Sequence, residues 1–163
     1  MTKIKTLSIA ALAGFWAAAA AAHPDHDLGH GPLDIFNSDA LAAMPITVKI
    51  WMGILAVSLA SGVFFVRKHK IARWIVCGFL ISIFTGDLFF RTLDLPMLSG
   101  AVSLWHLVCW SPGLFLLLIR RPFLREYEPY KYRIWTAVVA FVIVVSFLYD
   151  IRDAAVYIGH VTL

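Results

Sequence analysis

The sequence predicts an all-α integral membrane protein: a four-transmembrane-helix antiparallel bundle, preceded by a signal peptide and with both mature termini outside. Three observations predict it. The chain is 61% apolar with a mean hydropathy of +0.81, beyond the range of ordinary soluble domains. Four apolar stretches follow one another with short connections. The charges are also sided. Two short loops, Arg67–Arg73 and Arg120–Arg133, hold nine of the 14 Lys and Arg (four plus five). Of the 10 acids, only Glu126 and Glu128 fall in those loops. Short loops rich in Lys and Arg stay cytoplasmic, so the pattern predicts a multi-pass protein of the cell inner membrane with periplasmic termini. The pI near 9.3 is then explained by topology and by anionic lipid headgroups. The expected partners are the lipid bilayer and a membrane-protein partner or a second copy, and not nucleic acid.

Residues 1–22 have the layout of a signal peptide. Lys3 and Lys5 form a positive start, Leu7 to Trp16 an apolar centre, and Ala20-Ala21-Ala22 a small-residue cleavage site before His23-Pro24. The alternative is an uncleaved fifth helix, since Thr6 to Ala22 is barely long enough to span. Residues 23–45 read as an exported His/Asp-rich arm, punctuated by Pro24, Gly29, Gly31 and Pro32, with one short helix capped by Asn37 or Ser38.

Residues 46–163 form the predicted four-helix membrane domain, with spans of about 46–66, 74–94, 98–119 and 134–155. At about 1.5 Å per residue these match a hydrocarbon core of roughly 30 Å. Backbone polar groups find no water there, which leaves helices as the spanning form, and short connections make neighbours antiparallel. Two small-residue stripes, Gly78-Ser82-Gly86 and Gly53-Ala56-Ala60, predict close helix contacts. The β-branched run Val138 to Val145 reads as a lipid-facing surface, and Tyr127, Tyr130, Tyr132 and Trp135 as an aromatic belt at the inner interface.

The candidate site is a belt of ionisable groups near the outer ends of the spans. Asp87, Arg91 and Asp94 share one helical face at i, i+4, i+7. Rise per residue puts Asp87 about 10 Å, His106 about 12 Å, Asp150 about 6 Å and Lys49 about 5 Å below the outer boundary. Arg152 and Asp153 complete the set. Ionisable groups facing lipid cost several kcal/mol, so these side chains should turn inward and pair. They form either structural ion pairs that pin helix register or an outward-facing polar pocket. His106 and Cys109 share a face at i, i+3, which suits a soft metal, although two ligands do not close a site. Pro112 below them is expected to kink the helix and free a carbonyl.

A second candidate opens the mature chain: His23, His26 and His30, interleaved with Asp25 and Asp27. A terminal His23 would offer an imidazole and an α-amine, a donor set for copper or zinc. No hydrolase elbow, phosphate loop, paired-cysteine motif or HExxH occurs, and Cys77 and Cys109 each sit alone in an apolar span. The chain is therefore not expected to be an enzyme. Two functions are expected of such a chain. One is handling of a metal ion or polar solute from the periplasmic side, with the arm as collector and the belt as receiver. The other is a non-catalytic structural or assembly subunit of a larger membrane complex.

Overall fold

The computed structural model describes residues 31–93 and 97–162, with the side chain of Asp87 excepted. The signal-peptide reading, His23, His26, His30 and Asp94 all lie outside the described residues. Helix α1 spans Ser38–Ala43, α2 Ile46–Ala60, α3 Lys70–Thr92, α4 Ser99–Arg120 and α5 Tyr130–Thr162. Among the described residues three helical segments are long and apolar enough to cross a membrane: Ile46–Phe64, Ser99–Leu124 and Tyr130–Thr162.

The long helices form an up-and-down ring, as the facing residues show. On α3 and α4, Ile75 meets Gly113, Gly78 meets Cys109 and Gly86 meets Trp105. On α4 and α5, Gly100 meets Tyr157 and His106 meets Asp150. On α2 and α5, Trp51 meets Ser146 and Ser58 meets Trp135. Numbers fall on one helix as they rise on the other in each pair, so these neighbours are antiparallel. All the basic-loop residues therefore gather at one end, while the arm and the end of α5 gather at the other.

Several boundaries differ from the sequence expectation. Helix α3 begins at Lys70, not Trp74: Lys70 and Arg73 are exposed in its first turn, where long side chains let the charges reach solvent without ending the helix. Helix α5 runs unbroken for 33 residues, about 50 Å, well beyond a bilayer core. Ser61–Phe64 tightens into a 3-10 turn after α2. Pro112 leaves α4 continuous. The Val108 carbonyl, four residues before Pro112, accepts a hydrogen bond from Ser111 Oγ at 3.3 Å.

The core lies in the basic-loop half. Leu59, Ala72, Ile75, Phe79, Trp110, Leu114, Leu117, Tyr132, Trp135, Val139 and Ile143 form one buried cluster. Half of the β-branched run on α5 is buried, with Val139 and Ile143 in this cluster. Val139, Val142, Ile143 and Val145 are buried, and only Val138, Phe141 and Val144 face out. The run is exposed on one edge only, because α5 packs on both α2 and α4. The aromatic belt divides in the same way. Tyr127 and Tyr130 are exposed, whereas Tyr132 and Trp135 are buried against Phe65.

The two small-residue stripes have opposite fates. A Cβ on Gly78 would run into the Cys109 carbonyl oxygen, and Gly86 lies under the Trp105 ring. Ser82, between them, accepts a hydrogen bond from Trp110 Nε1 at 3.0 Å. Gly53 on α2 has nothing within 4 Å of its missing Cβ, and Ala60 is exposed. One stripe is a helix seam, whereas the other touches the core at Ala56 and is open at Gly53 and Ala60.

Candidate functional site

The belt end of the bundle is built by the arm. Asn37 caps α1, its Oδ1 accepting from Ala40 N at 2.8 Å, which decides between the two expected caps. The residues before α1 lie across the start of α4. Phe36 N donates to Met97 O at 2.8 Å, Ser99 N to Asp34 O at 2.9 Å and Gly100 N to Pro32 O at 2.7 Å. Two of the first N–H groups of α4, which no carbonyl of the same helix can reach, are thereby satisfied. Gly100 permits this approach. Its missing Cβ would lie 2.6 Å from Asp153 O, 2.6 Å from Tyr157 Cβ and 2.9 Å from Pro32 O. The arm and α5 converge on this one glycine of α4.

Beneath this cap, His106 Nδ1 lies 3.8 Å from Asp150 Oδ1, with side chains 30% and 13% exposed. The contact is an ion pair when the imidazole is protonated. One face of the His106 ring is covered, because it stacks on Trp110 at 4.3 Å and 12°. Trp105, one residue before, stacks on Phe89 of α3 at 4.6 Å. Asp150 Oδ2 and Trp105 Nε1 are buried with no hydrogen-bond partner among the described residues. Polar capacity is therefore left at this level of the bundle.

The other belt residues are placed differently. Lys49 is half-buried and its Nζ donates to the Ala42 carbonyl at 2.7 Å, tying α2 to the C-terminal end of α1. This is the favoured place for a cation, where helix carbonyls are unsatisfied. Lys49 also borders an open depression of ≈ 470 Å³ shared with Ser38, Leu41, Ala42 and Met52. Arg91 is exposed in the last turn of α3 and Arg152 is exposed on α5, with Asp153 half-buried beside it. Asp87 is carried by the α3 backbone, and its side chain and Asp94 are outside the described residues.

Among the described residues no group of three or more His, Cys, Asp or Glu side chains comes together to hold a metal ion. His106 and Cys109 share a helical face, but Cys109 lies on the α3 seam through its backbone carbonyl. Any site using His23, His26 and His30 would draw on residues outside the described part of the chain.

Sequence reasoning missed two features. The first is a set of tryptophan hydrogen bonds between helices. Besides Trp110 to Ser82, Trp135 Nε1 donates to Ser58 O at 3.0 Å and Trp51 Nε1 to Ser146 Oγ at 3.3 Å. Polar side chains bridging helices in this way hold membrane bundles together. A serine opposite a tryptophan on an otherwise apolar span was the available signal. The second is a depression of ≈ 250 Å³ at the basic end, lined by residues from both basic loops. Comparison with known proteins gives no match to a family model, to a curated protein or to a solved structure.

Proposed function

We propose that this chain is a non-catalytic, multi-pass subunit of a larger membrane assembly. In this reading α3 is a fourth span, the basic loops are cytoplasmic, and the arm and the C-terminus are periplasmic, as the charge bias of short loops predicts. The observation that carries the reading is the contrast between the two small-residue stripes. Gly78 is filled by α4, while Gly53 lies open on a helix whose only buried residue is Leu59. An apolar helix that uses little of its surface inside its own bundle, and presents a glycine outward, suits close packing with a neighbouring transmembrane helix. The neighbour is a second copy or a different membrane protein. Pairing of His106 with Asp150 supports the same reading, with the belt holding helix register.

The test is crosslinking in native membranes, with Cys77 and Cys109 replaced by serine. Gly53→Cys is expected to give a discrete crosslinked species, and Val138→Cys, on an outward face of α5, is expected to give none. Equal crosslinking from both positions overturns the reading. Labelling of a cysteine at position 70 by an outside reagent would overturn the orientation.

A second reading is favoured by Asp150 Oδ2 and Trp105 Nε1, the buried polar atoms without a described partner. It is that the belt receives a polar solute or a copper or zinc ion gathered by His23, His26 and His30. Metal analysis of purified protein tests it. A His26→Ala, His30→Ala double variant that binds copper as tightly as the parent would end it.

A further inference from the structure

We propose that the depression at the basic end is a binding site for a phosphate group, of the kind carried by an anionic phospholipid headgroup. The lining comes from both loops and from two helix ends. Lys68, His69, Lys70 and Ile71 enter from the start of α3, Arg120 and Pro122 from the end of α4, Arg125 and Glu128 from the approach to α5, and Tyr132 from its first turn. These positions are some fifty residues apart in sequence. The fold brings four cations, Lys68, Lys70, Arg120 and Arg125, around one carboxylate, Glu128.

The carboxylate is already engaged. Glu128 Oε2 lies 3.6 Å from His69 Nδ1, and the His69 ring is stacked on Tyr132 at 3.6 Å and 16°. Tyr132 is 1% exposed, so this acid–imidazole–phenol group forms one fixed wall. Arg125 Nη1 donates to Tyr127 Oη, with its guanidinium 5.6 Å from that ring's centroid. Lys68, Lys70 and Arg120 have no acidic partner among the described residues and are exposed. The opening therefore carries an uncompensated positive charge against a rigid wall.

Two backbone features add to it. His69 begins α3 without a side-chain cap, and the first turn of α3 has no acid, so the N-terminal end of a 23-residue helix points into the same region unsatisfied. Arg121 adopts a left-handed conformation, with φ of 45°, which stops α4 and turns the chain back through Pro122–Leu124. That turn sets Arg120 and Arg125 on the edge facing Lys68 and Lys70.

Size and level specify the ligand. A volume of ≈ 250 Å³ is below the roughly 300–1,000 Å³ of pockets that enclose whole drug-sized molecules. It accepts a phosphate with its glycerol or a few waters. The site lies at the end of the apolar helices, at the level of the exposed Tyr127 and Tyr130 rings, where headgroups sit. Basic pockets between helices at this depth bind phospholipid headgroups. A free phosphate offers the same chemistry, and the experiment separates the two.

The full-length protein in phosphatidylcholine nanodiscs is heated with increasing phosphatidylglycerol, or with millimolar inorganic phosphate, and its unfolding midpoint is followed. A ligand that binds only the folded state raises the midpoint with concentration. Phosphatidylglycerol is expected to raise it, and the Lys70→Gln, Arg120→Gln variant to lose most of that rise, with affinity down about tenfold or more, one order of magnitude for about 1.4 kcal/mol. The Lys131→Gln, Arg133→Gln variant removes the same amount of charge from the same end of the bundle, at positions outside the pocket lining, and is expected to keep it. If inorganic phosphate alone reproduces the rise and competes with the lipid, the site is a phosphate site not restricted to lipid. If only the lipid acts, the headgroup is the ligand. Equal loss in both double variants would mean diffuse surface attraction and overturn the proposal, as would no rise with either probe. Lys68→Gln, at an exposed position, gives a second reading of the pocket should the double variant fold poorly.

Discussion

The two ends of this bundle are held together by different physics. At the basic end the helices meet through apolar volume. Leu59, Ala72, Ile75, Leu117, Tyr132, Val139 and Ile143 are all at most 3% exposed, and Trp135 crosses to Ser58. At the belt end they meet through polar joins: arm carbonyls on α4 N–H groups, Lys49 on the Ala42 carbonyl, and His106 on Asp150. The end with the most charge outside has the driest interior. That is physically consistent. Loop cations reach solvent and headgroups on their long stems, whereas carboxylates and His106 placed within a span have to find partners inside. Charge in the sequence does not locate the polar interior. Depth along the helix does.

Breaking the dry half should have the largest effect. A methyl on Gly78 would meet the backbone carbonyl of Cys109, which cannot rotate away as a side chain could. Overpacking of this kind costs about 1–3 kcal/mol and occasionally more. Gly78→Ala is therefore expected to lower the folded fraction in detergent clearly. Gly53→Ala, with open space around it, should stay within about 0.5 kcal/mol of the parent. Titration with a denaturing detergent measures both. Equal stability of the two variants would show that the α3–α4 seam is looser than these contacts imply.

A medium effect is expected from the tryptophan joins. Ser82→Ala leaves Trp110 Nε1 without its acceptor inside the buried seam. Interhelical hydrogen bonds in membranes average about 0.6 kcal/mol and reach about 1.7 kcal/mol, and the tight packing here favours the upper part of that range. Ser58→Ala should do nothing comparable, because Trp135 bonds to the Ser58 backbone carbonyl, which the substitution retains. The pair sharpens the comparison within one half of the molecule, with unfolding in detergent as the readout. A Ser58→Ala variant as unstable as Ser82→Ala would remove hydrogen bonding as the cause.

How much of this was legible in the sequence follows from what is local. Runs of about twenty apolar residues announce long helices, and α2, α4 and α5 begin within a few residues of the expected positions. Depth arithmetic is also local, needing only a boundary and a rise per residue. It set His106 and Asp150 about one helical turn apart in depth, and the side chains lie 3.8 Å from each other. Non-local features were invisible. Nothing in Pro32, Asp34 or Phe36 announces that their backbone will cover the start of α4. The basic loops read as topology signals because their positive charge is evident residue by residue, while their convergence on one depression depends on the turn at Arg121. The Val138 to Val145 run misled because β-branched residues suit lipid and core equally well.

The smallest expected effect belongs to the polar half, at the His106–Asp150 pair. Both side chains are partly accessible and the contact is long, at 3.8 Å, so its attraction should resemble that of a surface pair, about 1 kcal/mol or less. Asp150→Asn keeps the shape and removes the charge. It is therefore expected to cost no more than about 1 kcal/mol, and in a His106→Gln background to cost nothing further, because residues in contact are not additive. Unfolding titrations of the parent, the two single variants and the double variant measure it. A loss from Asp150→Asn that is well above this, and that persists in the His106→Gln background, would mean that Asp150 acts through another partner, which would move the centre of the belt away from His106.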